Sequence, residues 1–238
     1  MFDHLVWKGL TGPHRHLALG NSLASRYLGE VAPFGALQDQ SESASMSLAS
    51  LLRPGDEICL IGQRLGKEAG LTLFSQYFAW QMLYDASRAD HSADSEDVLQ
   101  LNESDVPQMT ALTDLVFPGY FRPATIRMGD YFGIFHAGRL VAMAGERLAA
   151  DRFREISAVC THPDHQRRGH AAKLVKLLIR RMRGRNEVPF LHVGEQNEAA
   201  RKLYEAMGFS IADRAEINHY RRRGSPECGI ADKRLESS

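Results

Sequence analysis

Glu155-Ile-Ser-Ala-Val-Cys-Thr-His-Pro-Asp-His-Gln-Arg-Arg-Gly-His-Ala171 is the stretch around which the chain is organised. It reads as a β-strand from Glu155 to Thr161, a Pro163-Asp164 turn, and a basic loop with Gly169 that runs into a helix beginning near His170. A strand that feeds a helix through a glycine-bearing loop leaves backbone N–H groups unpaired. It also aims the positive end of the helix dipole at the same spot, which suits a phosphate or pyrophosphate.

Downstream, Ala171, Leu174, Val175, Leu178 and Met182 form one apolar stripe of a helix from about His170 to Arg183. Its other face is basic, with Arg167, Arg168, Lys173, Lys176, Arg180, Arg181, Arg183 and Arg185 and no acidic residue between Asp164 and Glu187. Pro189 to Val193 reads as a strand, and Asn197 to Met207 as a helix capped by Asn197 and ended by Gly208. Phe209 to Ile217 and His219 to Arg222 read as two closing strands, and the residues from Gly224 as a polar, disordered tail.

Upstream, Tyr131 to His136, the Ala137-Gly138 turn and Arg139 to Leu148 read as a β-hairpin, so three successive strands are expected to pair antiparallel. Val98 to Leu101 is a short strand, followed by N-cap residues from Asn102 and a helical stripe at Val106, Met109, Leu112, Leu115 and Val116. Asp85 to Asp97 is small, polar and acidic and reads as a linker. Before it, Leu71 to Tyr84 supplies one or two strands or a strand and bend, Glu57 to Ile61 a buried strand, and Gln38 to Ser50 a surface loop or short helix. The apolar spacing from His14 to Ala24 suggests a helix. Ile58 to Gly66 faintly echoes the central strand and loop, too weakly to assign a second anion site.

The 238 residues, 44% hydrophobic, are ample for a packed core of one large or two small domains. With 29 basic and 29 acidic residues the formal net charge is zero, so no whole-molecule field draws the chain to nucleic acid or an anionic membrane. Cys59, Cys160 and Cys228 lack the spacing of a zinc site or disulfide framework, which fits a reducing compartment. The first residues lack a basic and apolar leader, and no stretch of about 18 apolar residues occurs. The expectation is a cytoplasmic protein.

Gln166-Arg167-Arg168-Gly169-His170-Ala171 resembles the Q/R-x-x-G-x-G/A signature of the GNAT superfamily of N-acetyltransferases. Asn197-Glu-Ala-Ala-Arg-Lys-Leu-Tyr204-Glu-Ala-Met-Gly-Phe209 resembles its second signature, N-x-x-A-x-x-L-Y-x-x-x-G-F, in the right order and separated by a helix and a strand. The resemblance covers residues 98–222. It implies an α/β (α+β) fold, a mixed, mostly antiparallel, V-splayed sheet flanked by helices, with acetyl-CoA held where neighbouring strands part. Residues 1–90 lie outside it, as an α/β extension that is either a truncated related fold or an acceptor-binding element, and residues 223–238 form a flexible tail.

By the same resemblance the backbone of Val159, Cys160 and Thr161 meets the acetyl and pantetheine amides. The backbone N–H groups of Arg167, Arg168, Gly169, His170, Ala171 and Ala172 cradle the pyrophosphate, Gln166 beside them also binds the cofactor, and Asn197 contacts the pantetheine arm. Gly169 is required there because a Cβ would crowd the phosphate or forbid the turn. Ala171 stands where many members carry glycine. Tyr204, on nearly the same helical face as Asn197, matches the tyrosine that protonates the departing thiolate; a helix cap and a core tyrosine are the structural alternative. An acceptor amine must be unprotonated to attack, so a base is expected, with Glu155 the first candidate and Glu146 and His192 behind it.

Strict alternation puts Glu155, Ser157, Val159 and Thr161 on one face and Ile156, Ala158 and Cys160 on the other. Cys160 is read as an inert buried thiol rather than a nucleophile, and His162 and His165 as turn residues without a third metal ligand. The loop Pro118 to Pro123 is placed where acceptor pockets form, with Arg122 or Arg127 as candidate carboxylate holders. The function implied is transfer of acetyl from acetyl-CoA to a primary amine. A non-catalytic acyl-CoA-binding domain is the alternative, and nucleic-acid binding by the basic helix a third reading.

Overall fold

The computed structural model describes residues 4–85, 87 and 97–223. Most of the expected linker, Cys228 and the tail from Gly224 lie outside the described residues. In order, the elements are α1 (Leu5–Thr11), β1 (Ala18–Gly20), β2 (Ala24–Tyr27), β3 (Gly35–Leu37), α2 (Glu42–Ser50), β4 (Glu57–Ile61) and β5 (Leu71–Tyr84). After the linker come β6 (Val98–Gln100), α3 (Val106–Val116), β7 (Tyr131–His136), β8 (Arg139–Ala150) and β9 (Phe153–Thr161). The chain then forms α4 (His170–Gly184), β10 (Val188–Gly194), α5 (Glu198–Ala206) and β11 (Phe209–Arg222).

Local chemistry accounts for most boundaries. Asn102 and Asp105 form a reciprocal capping box ahead of α3, Asn102 Oδ1 accepting from Ser104 N–H and Asp105 Oδ2 from Asn102 N–H, both at 2.9 Å. The β7–β8 hairpin turns at Ala137 and Gly138, whose φ values of 48° and 77° match a two-residue turn with both central residues left-handed. The expected apolar stripe of α4 buries Leu174, Val175, Leu178 and Met182.

Among the described residues, eight strands form one mixed, mostly antiparallel sheet in the order β4-β11-β5-β10-β9-β8-β7-β6, in which β9 and β10 are the parallel pair. α4 packs on one face, in a core with Val141, Ile156 and Leu191. On the other face α1 packs with Leu148, Phe153 and Phe190, and α3 with Met143 and Cys160. β1, β2 and β3 make a separate three-stranded sheet. It is tied to the large one where Cys59 N–H donates to Pro33 O (2.7 Å).

Two expectations need correction. The His14 to Ala24 segment is a 3-10 turn, β1 and the start of β2 rather than a helix, because burial against α1 and Leu148 overrides a short apolar spacing. Phe209 to Arg222 is one strand with irregularities at Ile211/Asp213 and His219/Tyr220, not two strands. Leu71 to Tyr84, expected as one or two strands or a strand and bend, is one 14-residue strand, and β5 runs between β10 and β11 inside the large sheet. The stretch before the linker thus supplies two of the eight strands, β4 and β5.

Gly145 shows how tightly the hairpin is built. It lies opposite Tyr131, and a Cβ there would come within 2.2 Å of the Tyr131 ring. Gly145→Val is expected to lower stability by about 1–3 kcal/mol through overpacking. Urea unfolding checks this: the midpoint should fall with an unchanged slope, and an unaltered midpoint would mean that the ring does not cover Gly145.

Candidate active site

β10 pairs with β9 only through Val188–Phe190 and Phe153–Glu155, while on its other side it stays paired with β5 as far as Gly194. Beyond Glu155 the two parallel strands part. β9 is distorted at the same place: its register with β8 jumps from Gly145↔Ser157 to Met143↔Cys160, and Ala158 has a left-handed φ of 52°. An extra residue in one strand makes a bulge, and a non-glycine residue in this conformation costs on the order of 1–2 kcal/mol. The bulge reverses the alternation expected for this strand. Ile156 joins the core under α4, whereas Cys160 joins the core under α3.

The parting strands open a cavity of about 360 Å³. Ser157, Ala158 and Val159 of β9 line it, with His192 and Gly194 of β10 and Asn197 and Tyr204 of α5. Its other wall is aromatic, with Phe34, Tyr77 of β5, and Phe117, Tyr120 and Phe121 from the segment after α3. Asn197 is also the helix cap, its Oδ1 accepting from Ala200 N–H (3.1 Å), so the structural role and a place on the cavity coexist. Burial pushes the Tyr204 phenol up to about 12, which keeps its proton on at neutral pH.

Glu155 lies directly beneath the fork and is fully buried. Arg147 Nε donates to Oε2 (2.8 Å) and Nη2 to Oε1 (2.5 Å), and Leu148 N–H reaches Oε2 at 3.3 Å. His192 Nδ1 lies 2.6 Å from Oε1, and its Nε2 is 2.9 Å from Gln81 Nε2. An amide nitrogen only donates, so with the amide in this orientation Nε2 accepts and the ring proton sits on Nδ1. Burial alone would raise the Glu155 pKa, but the Arg147 guanidinium and His192 outweigh it and hold it at about 2. Glu155 is therefore no free base. Its oxygens are committed to Arg147 and His192, and both nitrogens of His192 are engaged. Glu146, the other acidic candidate, pairs with Arg185 (2.5 Å), away from the cavity residues.

The loop before α4 has the features of an anion seat. Arg167 and Gly169 take left-handed φ values of 60° and 79°. A Cβ on Gly169 would meet nothing within 4 Å, so in the protein itself the backbone turn, and not crowding, demands glycine. Gly169 caps α4 with no side-chain hydrogen bond, and the first intrahelical bond runs from Lys173 N–H to Gly169 O (3.0 Å). The N–H groups of His170, Ala171 and Ala172 precede it. His170 Nδ1 is buried without a hydrogen-bond partner among the described residues. A strand edge without a partner strand, an uncapped helix start and an orphaned ring nitrogen fit a ligand with amides at one end and phosphates at the other.

A family described as FR47-like protein matches residues 131–217. A solved structure of a GNAT-family protein from Novosphingobium aromaticivorans is 34% identical, with 93% of this chain and 97% of that chain covered at a TM-score of 0.83. The chain belongs to the GNAT family. The fold also recurs in a GCN5-related N-acetyltransferase from Kribbella flavida, at 14% identity over 93% and 94% of the two chains and a TM-score of 0.60. A GCN5-related N-acetyltransferase-like protein from Streptococcus suis gives 18% identity over 92% and 93%, with a TM-score of 0.59. A search of curated proteins found no match.

In this GNAT chain the basic face of α4 is extensively paired with acids from elsewhere in the sequence. Lys173 binds Asp97, Arg181 binds Asp130, and Arg185 binds Asp130, Glu146 and Glu187. Arg167 and Arg168 are exposed beside the seat. Arg122 turns to Gly29 O, and neither it nor Arg127 lines the main cavity; Arg147, which sequence reasoning passed over, does. Its signal was an arginine eight residues before Glu155 in a paired strand, indistinguishable in sequence from a surface charge. Tyr77 was also missed, because its strand was assigned to the extension. Cys160 is buried and its thiol is pushed up to about 12 by that burial, so it is an inert thiol at neutral pH.

Arg147→Met leaves Glu155 buried without its main partner and is expected to cost about 3–5 kcal/mol in urea unfolding. The pH dependence has a defined sign. The folded pKa of Glu155 is depressed from 4.5 to about 2, so its contribution is present above 4.5 and is lost as pH falls toward 2. Across that window wild-type stability should drop more steeply than that of Glu155→Gln; parallel curves would show that the carboxylate is not held down.

Proposed function

We propose that this protein is an N-acetyltransferase that passes the acetyl group of acetyl-CoA to a primary amine by direct attack within a ternary complex. One observation carries the reading: Asn197 and Tyr204 face the same cavity as the bulged segment of β9, at the place where β9 and β10 separate. The backbone of Val159, Cys160 and Thr161 would hold the acetyl and pantetheine amides. The backbone N–H groups of Arg167 to Ala172 would hold the pyrophosphate at the start of α4, with Arg167 and Arg168 adding positive charge. Acetyl-CoA supplies the activated thioester.

The neutral amine nitrogen forms a bond to the thioester carbonyl carbon, the carbon–sulfur bond breaks, the thiolate takes a proton, and the proton shed by the acylated nitrogen replaces the one the donor gave up. Tyr204 is the donor in this reading, a buried phenol that is neutral at pH 7 and lines the cavity. Glu155 acts through others: it anchors Arg147 and His192 below the fork and fixes the floor of the site. The aromatic wall excludes water and leaves room for a small amine or the end of a peptide.

Thiol release from acetyl-CoA with a panel of primary amines tests the reading. Turnover of at least one amine is expected, and CoA binding with no turnover on any would favour a non-catalytic acyl-CoA-binding domain. Gly169→Asp places a carboxylate and a strained residue in the seat and should abolish acetyl-CoA binding by calorimetry. Tyr204→Phe should lower kcat roughly 100-fold with acetyl-CoA affinity intact. Unchanged turnover would remove Tyr204 as the acid.

A further inference from the structure

A second cavity, about 260 Å³, lies beside the first and is lined by Glu57, Phe74, Pro118, Arg122 and His219 among others. Tyr120 lines both cavities and is part of the wall between them. Its hydroxyl is 2.8 Å from the Tyr77 hydroxyl and 3.3 Å from His219 Nε2. The His219 ring stacks on Tyr77, with centroids 5.8 Å apart and planes 23° from parallel, and meets Tyr120 edge-on. A phenol carries one proton. With that of Tyr120 given to His219 Nε2, Tyr77 donates to the Tyr120 oxygen and keeps a lone pair on its own oxygen.

On the N-acetyltransferase reading, we propose that Tyr77, Tyr120 and His219 form the relay that takes the proton from the acceptor ammonium, with His219 as its terminal base. The N–H proton of the ammonium passes to the Tyr77 oxygen, the Tyr77 proton to the Tyr120 oxygen, and the Tyr120 proton to His219 Nε2. The amine is left neutral, both phenols are unchanged, and the imidazolium releases its proton through the outer cavity. The relay meets a need that the inner cavity leaves open, since Glu155 and both nitrogens of His192 are already bound.

The surroundings of His219 support this. Tyr77 and Phe74 face it from β5 and Tyr120 from the loop after α3. From β4, Cys59 is its register partner, while Glu57 and, from the loop, Arg122 line the cavity it borders. Burial lowers the His219 pKa from 6.5, with Glu57 opposing, so the imidazole is neutral at pH 7. Partial burial and the Tyr120 hydrogen bond raise the Tyr77 pKa, which keeps its proton in place.

The test is the pH profile of kcat at saturating acetyl-CoA for wild type, His219→Gln and Tyr120→Phe, with the most active amine of the panel. A neutral imidazole is required, so wild-type activity should fall as pH drops through a limb below 6.5. Both variants should lose that limb and roughly 100-fold in rate at pH 7, climbing instead as the amine loses its proton to solvent. The double variant should lose no more than either single one. An unaltered limb in both single variants overturns the relay while leaving the acetyltransferase reading intact. No turnover of any amine by the wild type overturns both. Tyr120→Phe keeps the ring, so a loss confined to His219→Gln would mark a packing effect and count against the relay.

Discussion

The parting of β9 from β10 is the constraint on which the rest of the molecule depends. Two parallel strands joined by hydrogen bonds would ordinarily stay joined, since each separated step leaves N–H and C=O groups without partners. Here the ladder ends at Glu155 and Phe190, and the left-handed Ala158 bends β9 away immediately afterwards. The cost of that bend is offset just below the fork. Glu155 on β9 binds His192 on β10 and Arg147 on β8, so three strands are pinned at the point of separation. The cavity above exists because the strands are held together below it and forced apart within a few residues.

The second constraint is β5. Sitting between β10 and β11, it keeps β10 paired on its outer edge as far as Gly194, so β10 can lose its neighbour on one side without losing its place. It also brings Tyr77 to the cavity and, through Gln81, closes the hydrogen bonding of His192. The side of the site facing β9, α4 and α5 is thus built by the later half of the chain, and much of the aromatic side by residues from the earlier half. Binding of the two substrates is divided along the same line in the function proposed here.

Much of this was readable in the residues. The strand, loop and helix from Glu155 to Arg183 follow from a short apolar run, a Pro-Asp turn, a glycine and a stripe at helical spacing, all of them local signals. So do the hairpin at Ala137-Gly138 and the capped α5. What could not be read is whatever depends on partners distant in sequence. The bulge at Ala158 leaves no glycine to announce it. Arg147 and Glu155 look like surface charges until the sheet buries them together, and the basic face of α4 looks free until Asp97 and Asp130 fold against it.

The sequence by itself determined most of the elements from Val98 onward, their order and the glycine-bearing loop that opens α4, because caps, turns and apolar periodicity act over a few residues. Tertiary structure alone decided which strand lies beside which, where the ladder stops and which titratable groups remain unengaged. Those are outcomes of long-range pairing and burial: Tyr77, Tyr120 and His219 are separated by dozens of residues and become neighbours only with β5 paired to β11 and the segment after α3 packed against them.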